Sequence, residues 1–345
     1  MHPPTWVTPL LLTLLTTTTT TALPRPSAPA TLALPHRTIH QFPPASWLEN
    51  LAIRPSSSKT NSTLLLTLLT SPNLSAIPSS PNLYTIPSAT SLITFPNATS
   101  LTGIAPLTSH PHCDTYIVLA GDPFTAGSFS AWTISFPDGD NKDTPEIRKI
   151  ASLTKSGLPN GIVSVSEGRA ALIADSALGL IWHLDIATGE YKVAIQIPET
   201  ATPAGSPPGT TAVNGLKVSH DYLYFTNSAT ATIHRIKIHE NGLVKEGTKT
   251  ETIVRLNASF LDDFALRGDI IWAATNSDNK VFAVNIMTGQ NVVVLDVLGP
   301  TSAAFGRGKE DNDVLYVITN GGLRASPNPP EGGKVVAIDT SGIQF

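Results

Sequence analysis

Apolar residues along this chain come in short runs of about five to seven positions, many alternating with polar residues. Clusters of Pro, Gly, Asn, Asp and Ser separate the runs. A period of two over such lengths predicts half-buried β-strands joined by tight turns. The strands expected are Thr63–Leu69, Asp114–Ala120, Ser130–Ser135, Ala170–Asp175, Leu180–Asp185, Tyr222–Asn227, Thr232–Ile238, Ile270–Thr275, Lys280–Asn285, Val314–Thr319 and Lys334–Ile338. Several end in polar turns, such as Asp175-Ser176, Asn227-Ser228 and Thr275-Asn276-Ser277. Glycine turns such as Thr188-Gly189-Glu190, Asn241-Gly242 and Thr288-Gly289-Gln290 lead to a further strand, as at Asn291–Leu295. This grammar predicts four-stranded antiparallel units, and no stretch carries a long helical period.

A weak motif punctuates the strands. A polar residue, a small or polar residue and an apolar pair recur as Glu49-Asn50-Leu51-Ala52, Thr102-Gly103-Ile104-Ala105, Asn160-Gly161-Ile162-Val163, Asn214-Gly215-Leu216-Lys217, Asp262-Asp263-Phe264-Ala265 and Thr301-Ser302-Ala303-Ala304. The first residues lie 53, 58, 54, 48 and 39 positions apart. A period near fifty predicts a propeller. The expected architecture is therefore all-β: a six-bladed β-propeller of four-stranded antiparallel blades over residues 41–345. Such a ring brings the same position of every blade to one axis, so Glu49, Asn160, Asn214 and Asp262 are expected to meet at one end of a channel.

Composition refines this picture. Charged residues make up only 14% of the chain and hydrophobic ones 41%, while 29 prolines and 24 glycines suit many turns. A net charge of −4 offers no basic footprint for nucleic acid. Residues 1–22 read as a secretory signal: the apolar run Trp6–Leu15 is too short to span a bilayer, so no membrane span is expected. That reading, with Asn-x-Ser/Thr sequons at Asn61, Asn73, Asn97 and Asn257, places the protein in the secretory pathway or outside the cell as a glycoprotein. Residues 23–40, rich in Pro, Ala and Ser, read as a disordered lead-in. Cys113 is the single cysteine, which rules out an intrachain disulfide. His110-Pro111-His112-Cys113-Asp114 reads as a surface turn, because no second cluster completes a zinc site. His183 and His234 fall within alternating strands as edge or inter-blade residues. Pro137–Glu146 is a surface insertion, and Ile197–Gly209 is either an insertion or a lid over the motif face. The chain carries no phosphate loop, no Gly-x-Ser-x-Gly elbow and no nucleotide fingerprint.

Two carboxylates and two amide oxygens on one axis make an all-oxygen site of the kind that hard cations such as Ca²⁺ or Mg²⁺ prefer. Without a cation the carboxylates would repel and one pKa would rise. The plainer alternative is that these Asn and Asp side chains only cap the innermost strands through bonds to backbone.

The order Glu, other, Asn, Asn, Asp, other around six blades resembles the SMP-30/gluconolactonase/luciferin-regenerating-enzyme family of six-bladed propellers. Pro159-Asn160-Gly161 and Asn214-Gly215-Leu216 carry the local likeness. The resemblance implies Glu49, Asn214 and Asp262 as metal ligands and Asn160 as a substrate- or metal-side asparagine. It also implies lactone hydrolysis, with Asp262 or Asp263 as base. Asp263 stands where family members often carry Gly, which leaves open which carboxylate faces the axis. A second likeness lies in Trp47–Arg54, Leu64–Thr70 and Leu83-Tyr84-Thr85-Ile86, which resemble a fungal secreted branch of this superfamily found in secondary-metabolite pathways. Some of its members are hetero-Diels-Alderases that join a tropolone- or polyketide-derived o-quinone methide to a terpene alkene. That likeness implies these two small-molecule substrates and no cofactor. It casts Asn160, Asn214 and Thr102, with Asp262, as catalytic polar groups, and Trp47, Phe264 and Phe305 as apolar wall, with Arg307 reaching an anionic oxygen. Blade-to-blade packing is the alternative for each aromatic. Three functions are thus expected in order: a cycloaddition, a divalent-metal-dependent lactonase, and a non-catalytic binding propeller.

Overall fold

The structure is a computed structural model that describes residues 30–55, 62–79, 87–107, 114–137, 145–343 and 345. It forms six four-stranded antiparallel sheets. From the inside outward, blade 1 is Leu48–Pro55, Ser62–Leu68, Ser71–Pro78 and Thr90–Thr94. Blade 2 is Ser100–Pro106, Thr115–Gly121, Ser130–Ser135 and Glu146–Ser152. Blade 3 is Pro159–Val165, Ala170–Asp175, Leu180–Asp185 and Tyr191–Ile195. Blade 4 is Val213–Ser219, Tyr222–Asn227, Thr232–Lys237 and Glu251–Arg255. Blade 5 is Phe264–Arg267, Ile270–Ala274, Lys280–Asn285 and Asn291–Asp296. Blade 6 is Pro300–Phe305, Val314–Thr319 and Gly332–Asp339, completed by His36–Pro44.

That last strand corrects the expected disordered lead-in to residue 40. His36–Pro44 pairs antiparallel with Gly332–Asp339 and buries Ile39. It covers the edge that the last blade would otherwise leave unpaired, and it ties both ends of the chain into one sheet. Just before it, Leu32 and Leu34 donate backbone hydrogen bonds to Val293 and Val294 at the rim of blade 5. The expected signal, Asn61, Cys113 and the His110–Asp114 cluster up to Cys113 lie outside the described residues.

Strands that pack on both faces read as continuous apolar runs. Leu64 and Leu66 face blade 6, whereas Leu65 faces blade 2. Ala171 and Ile173 face blade 2, and Leu172 and Ala174 face blade 4. One apolar cluster fills each of the six inter-blade spaces. His183, on blade 3, bridges to the Asn241 carbonyl of blade 4, as an inter-blade residue should.

The motif marks the point where each innermost strand enters the ring. Pairing with the second strand slips there between Leu48 and Asn50, Leu101 and Ile104, Pro159 and Ile162, Val213 and Leu216, and Pro300 and Ser302. Such bulges kink the strand and free backbone groups from the ladder. Neighbouring blades claim the freed carbonyls. Thr67 Oγ1 donates to Thr102 O at 2.5 Å, Thr102 Oγ1 to Pro159 O at 2.8 Å, and Ser176 Oγ to Val213 O at 2.8 Å. Thr226 Oγ1 donates to Asp262 O at 2.8 Å, the Asp263 N–H to Thr301 O at 3.0 Å, and Thr301 Oγ1 to Leu48 O at 2.7 Å. The circuit passes through all six blades and returns to the first.

Blades this close leave no room for a side chain at the second motif position on one half of the ring. A Cβ on Gly103 would lie 2.2 Å from Asn160 O, and one on Gly161 would lie 2.2 Å from Asn214 O. Gly161→Ala is therefore expected to lower unfolding stability by about 2 kcal/mol or more, through forced separation of blades 3 and 4. Denaturant unfolding measures it, and a midpoint equal to wild type would mean the blades have slack there.

His234 gives a pH signature. Its ring stacks on Phe225 at 5.1 Å, with Thr232 Oγ1 2.7 Å from Nε2 and Thr252 Oγ1 3.1 Å from Nδ1. Burial pulls its pKa down to about 4 from an ordinary 6.5, against a small opposing pull from Glu199. Between those values the unfolded chain binds the proton and the folded one does not. Stability from this group is thus present above pH 6.5 and falls as pH drops toward 4, by up to about 3 kcal/mol. Denaturation midpoints followed from pH 7.5 to 4.5 should show this loss, and His234→Gln should flatten it.

Candidate functional site

The bulges of five blades, and the residues just ahead of the short innermost strand of blade 5, bring polar side chains of the motif toward the axis, where they form two layers. In the outer layer Glu49, Asn160, Asn214 and Asp262 come together as the repeat predicted, and all four are buried. Asn160 of blade 3 lies near enough to Glu49 of blade 1 to favour its charged form, so the two interact across the ring. Trp47 Nε1 donates to Glu49 Oε2 at 2.6 Å. Asn214 Nδ2 donates to Asp262 Oδ1 at 2.9 Å and to Ser228 Oγ at 3.1 Å, and Asn276 Nδ2 donates to Asp262 Oδ2 at 2.7 Å. Asn320 Nδ2 supports Asn276 at 3.0 Å. Arg324 stacks its guanidinium over the Phe260 ring at 3.8 Å and sends positive charge toward both carboxylates.

The inner layer is built from second motif positions. Asn50, Asp263 and Ser302 occupy the half of the ring that lacks glycine. Asn50 Nδ2 and Ser302 Oγ donate to Asp263 Oδ2 at 3.2 and 2.8 Å. Lys217 Nζ, from blade 4, donates to both Asp263 oxygens at 2.7 and 2.9 Å. The question of whether Asp262 or Asp263 faces the axis thus has the answer that both do, in different layers.

The remaining expected residues divide. Phe305 and Arg307 line a cavity at the opposite end of the axis, away from Trp47. Thr102 does not offer its hydroxyl to the channel: that group is committed to Pro159 O in the inter-blade circuit. Phe264 is fully buried between blades 4 and 5, so it is not channel wall. The first part of the loop after Ile197 is pinned: Thr200 Oγ1 donates to Gly179 O, and Asn227 Nδ2 donates to the Glu199 and Ala201 carbonyls. Asn276, Asn320, Ser228 and Arg324 escaped the motif search. The first three sit in the polar turns that close second strands, and that recurrence was the available signal.

Burial governs the electrostatics. It pushes Glu49 up to about 7, against the opposing N–H donors of Trp47 and Asn160 and the charge of Arg324. Asp262 is raised well above the carboxylate range by burial and by the charge of Glu49, with Asn276 and Arg324 pulling the other way. Two buried carboxylates facing one another favour an added positive charge, either a proton or a cation.

The four residues fit a hard divalent cation. All donors are oxygens, and Asn214 Oδ1 is buried without a hydrogen-bond partner. Among the described residues no three His, Cys, Asp or Glu side chains cluster, so such a site depends on its amide oxygens. A bound ion would supply a Lewis acid for a carbonyl oxygen. Adding Ca²⁺ or Mg²⁺ at about a hundredfold excess over its dissociation constant to chelator-treated protein is expected to raise the melting temperature by about 5 °C. Glu49→Gln should lose most of that rise, and calorimetric scans with and without the ion test both.

Comparison with known proteins places this site in context. No family model matches the chain. A protein of Phoma sp named "Putative hetero-Diels-Alderase" is 28% identical over 325 residues, covering 84% of this chain and 88% of that protein. The chain is a homologue of proteins so named. A second, "Putative hetero-Diels-Alderase asR5" of Sarocladium schorii, is 26% identical and covers 90% of this chain and 85% of its own. The fold matches a solved structure described as a calcium-binding protein, regucalcin, from Agrobacterium tumefaciens strain C58. That match has a TM-score of 0.58 at 14% identity and covers 90% of this chain and 95% of the other. The likeness to regucalcin is one of fold alone.

Proposed function

We propose that this protein is a cyclase of secondary metabolism that catalyses an intermolecular hetero-Diels-Alder cycloaddition. Its substrates in this reading are a polyketide-derived o-quinone methide and a terpene alkene. The observation that carries the reading is homology to the two hetero-Diels-Alderase-named proteins over 84% and 90% of the chain. The axial chemistry is compatible with it. The reaction forms one C–C and one C–O bond together and releases nothing, so it requires neither a nucleophile nor a proton relay. It requires two partners at reacting distance and donors aimed at the polarised carbonyl. The described axial residues are amides, carboxylates, a hydroxyl, a lysine and an arginine, with no serine–histidine pair. No helix among the described residues is long and apolar enough to cross a membrane. We place the protein on the secretory route on the strength of its sequons, of which Asn97 and Asn257 are exposed. Asn73 is half-buried and accepts a hydrogen bond from Thr94.

A second reading, a divalent-metal-dependent lactonase, is favoured by one observation: the unpartnered Asn214 Oδ1 within an all-oxygen group. The two readings separate in one experiment. Purified protein is incubated with a quinone-methide precursor and an excess of alkene, with and without chelator, and alongside a lactone panel. The cyclase reading expects a cycloadduct in excess of the uncatalysed mixture, enriched in one stereoisomer, that survives chelation. An unchanged product mixture overturns it, and chelator-sensitive lactone opening would establish the second reading.

A further inference from the structure

The end of the axis opposite Glu49 has a different chemistry. A cavity of about 340 Å³ opens there, and all six innermost strands line it, with Ile53, Pro106, Val163, Val218, Leu266 and Phe305 among its walls. All but Ile53 are only half-buried, so their apolar surface faces the concavity. Phe305 is held edge-on against Trp272 at 5.8 Å, with the Arg267 guanidinium over its ring, 3.7 Å from the ring centre. Asn50 and Lys217 also border the cavity, where it meets the inner polar layer. The Lys217 side chain is 28% exposed and its partner Asp263 only 3%, so the ammonium is the exposed member of the pair. An ammonium has three N–H donors, and Asp263 takes two.

We infer that this cavity is a binding site for an apolar small molecule carrying one acceptor oxygen, with Lys217 hydrogen-bonding that oxygen. Resting on the cycloaddition reading, it seats the carbonyl-bearing heterodiene. The heterodiene oxygen is itself a reacting atom and becomes the oxygen of the new C–O bond. A donor on it draws electron density from the diene and holds its orientation. The polarity of the axis sorts the ligand. At the far end the indole and amide N–H groups are already spent on Glu49 and Asp262, whereas this end presents the Lys217 ammonium beside apolar walls, with Arg307 also in the lining.

The probe is 1-anilinonaphthalene-8-sulfonate, an apolar ring system with one anionic oxygen group, titrated by fluorescence into the whole protein. Saturable binding is expected. Lys217→Met, which keeps the stem and removes the ammonium, should weaken it by about tenfold or more. Removing Lys217 leaves Asp263 buried without its cation, so a second variant is needed that leaves this pair intact. Val163→Trp places an indole in the cavity and should abolish binding while the melting transition stays cooperative. Unsaturable binding, or binding unchanged in Val163→Trp, overturns the inference. Cycloadduct formation is measured in parallel. A cycloadduct that forms equally well in wild type and Val163→Trp sinks this site and leaves the cyclase reading standing. Absence of any cycloadduct, with probe binding lost in Val163→Trp, upholds the site as a ligand cavity and sinks the cyclase reading.

Discussion

The hydroxyl-to-carbonyl circuit around the axis is the constraint on which the rest of this molecule depends. A bulge at the head of an innermost strand turns a carbonyl out of its own ladder, in a place that water does not reach. A buried carbonyl without a partner costs about 1–3 kcal/mol. The preceding blade answers with a hydroxyl at Thr67, Thr102, Ser176, Thr226 or Thr301, or with the Asp263 N–H. In five of the six blades the bond answers a bulge, and in blade 5 it reaches Asp262 O just ahead of an unbulged strand. Together they draw the blades so close that Gly103 and Gly161 have no space for a methyl group. They also turn the first motif residues inward. The motif is the signature of the stitch first and of chemistry second.

This distinction explains which parts of the site were legible in the sequence. The motif order Glu, Thr, Asn, Asn, Asp, Thr mixes two jobs. Thr102 and Thr301 stitch neighbouring blades, and Glu49, Asn160, Asn214 and Asp262 meet at the axis. Spacing alone places all six alike, so it cannot tell a stitching hydroxyl from an axial donor. Most second and third strands could be read to within a residue or two because alternation and turn chemistry both act locally. The closing strand at His36–Pro44 could not: its sequence is polar and proline-flanked, and only Gly332–Asp339, about 300 residues away, makes it a strand. Asp263 was ambiguous for a related reason. Blade 5 has a short innermost strand, Phe264–Arg267, and the two carboxylates precede it, so both reach the axis and the alternation passes Phe264 to the core.

The two ends of the axis carry opposite chemistry, and the inner layer separates them. At one end, buried carboxylates are surrounded by indole and amide N–H groups, with an arginine nearby. At the other, Lys217 opens on largely apolar walls that include Phe305 and Arg307. Asp263 sits between and belongs energetically to Lys217, whose ammonium it holds in place. An ion pair in this position fixes the ammonium more firmly than a flexible lysine stem would on its own, because Asn50 and Ser302 brace the same carboxylate from the other side. A brace of this kind determines geometry more than stability, since desolvating both charges offsets much of their attraction.

Fold alone is silent on reaction, as the likeness to regucalcin illustrates. What this ring contributes to any chemistry is preorganisation. Donors held by strands that are bonded on both sides do not have to reorient as charge shifts in a transition state. For a cycloaddition this is nearly the whole requirement, because a large part of its barrier is the entropy of bringing two partners together. The stitch that closes the propeller is then also what holds its axial donors in fixed orientation.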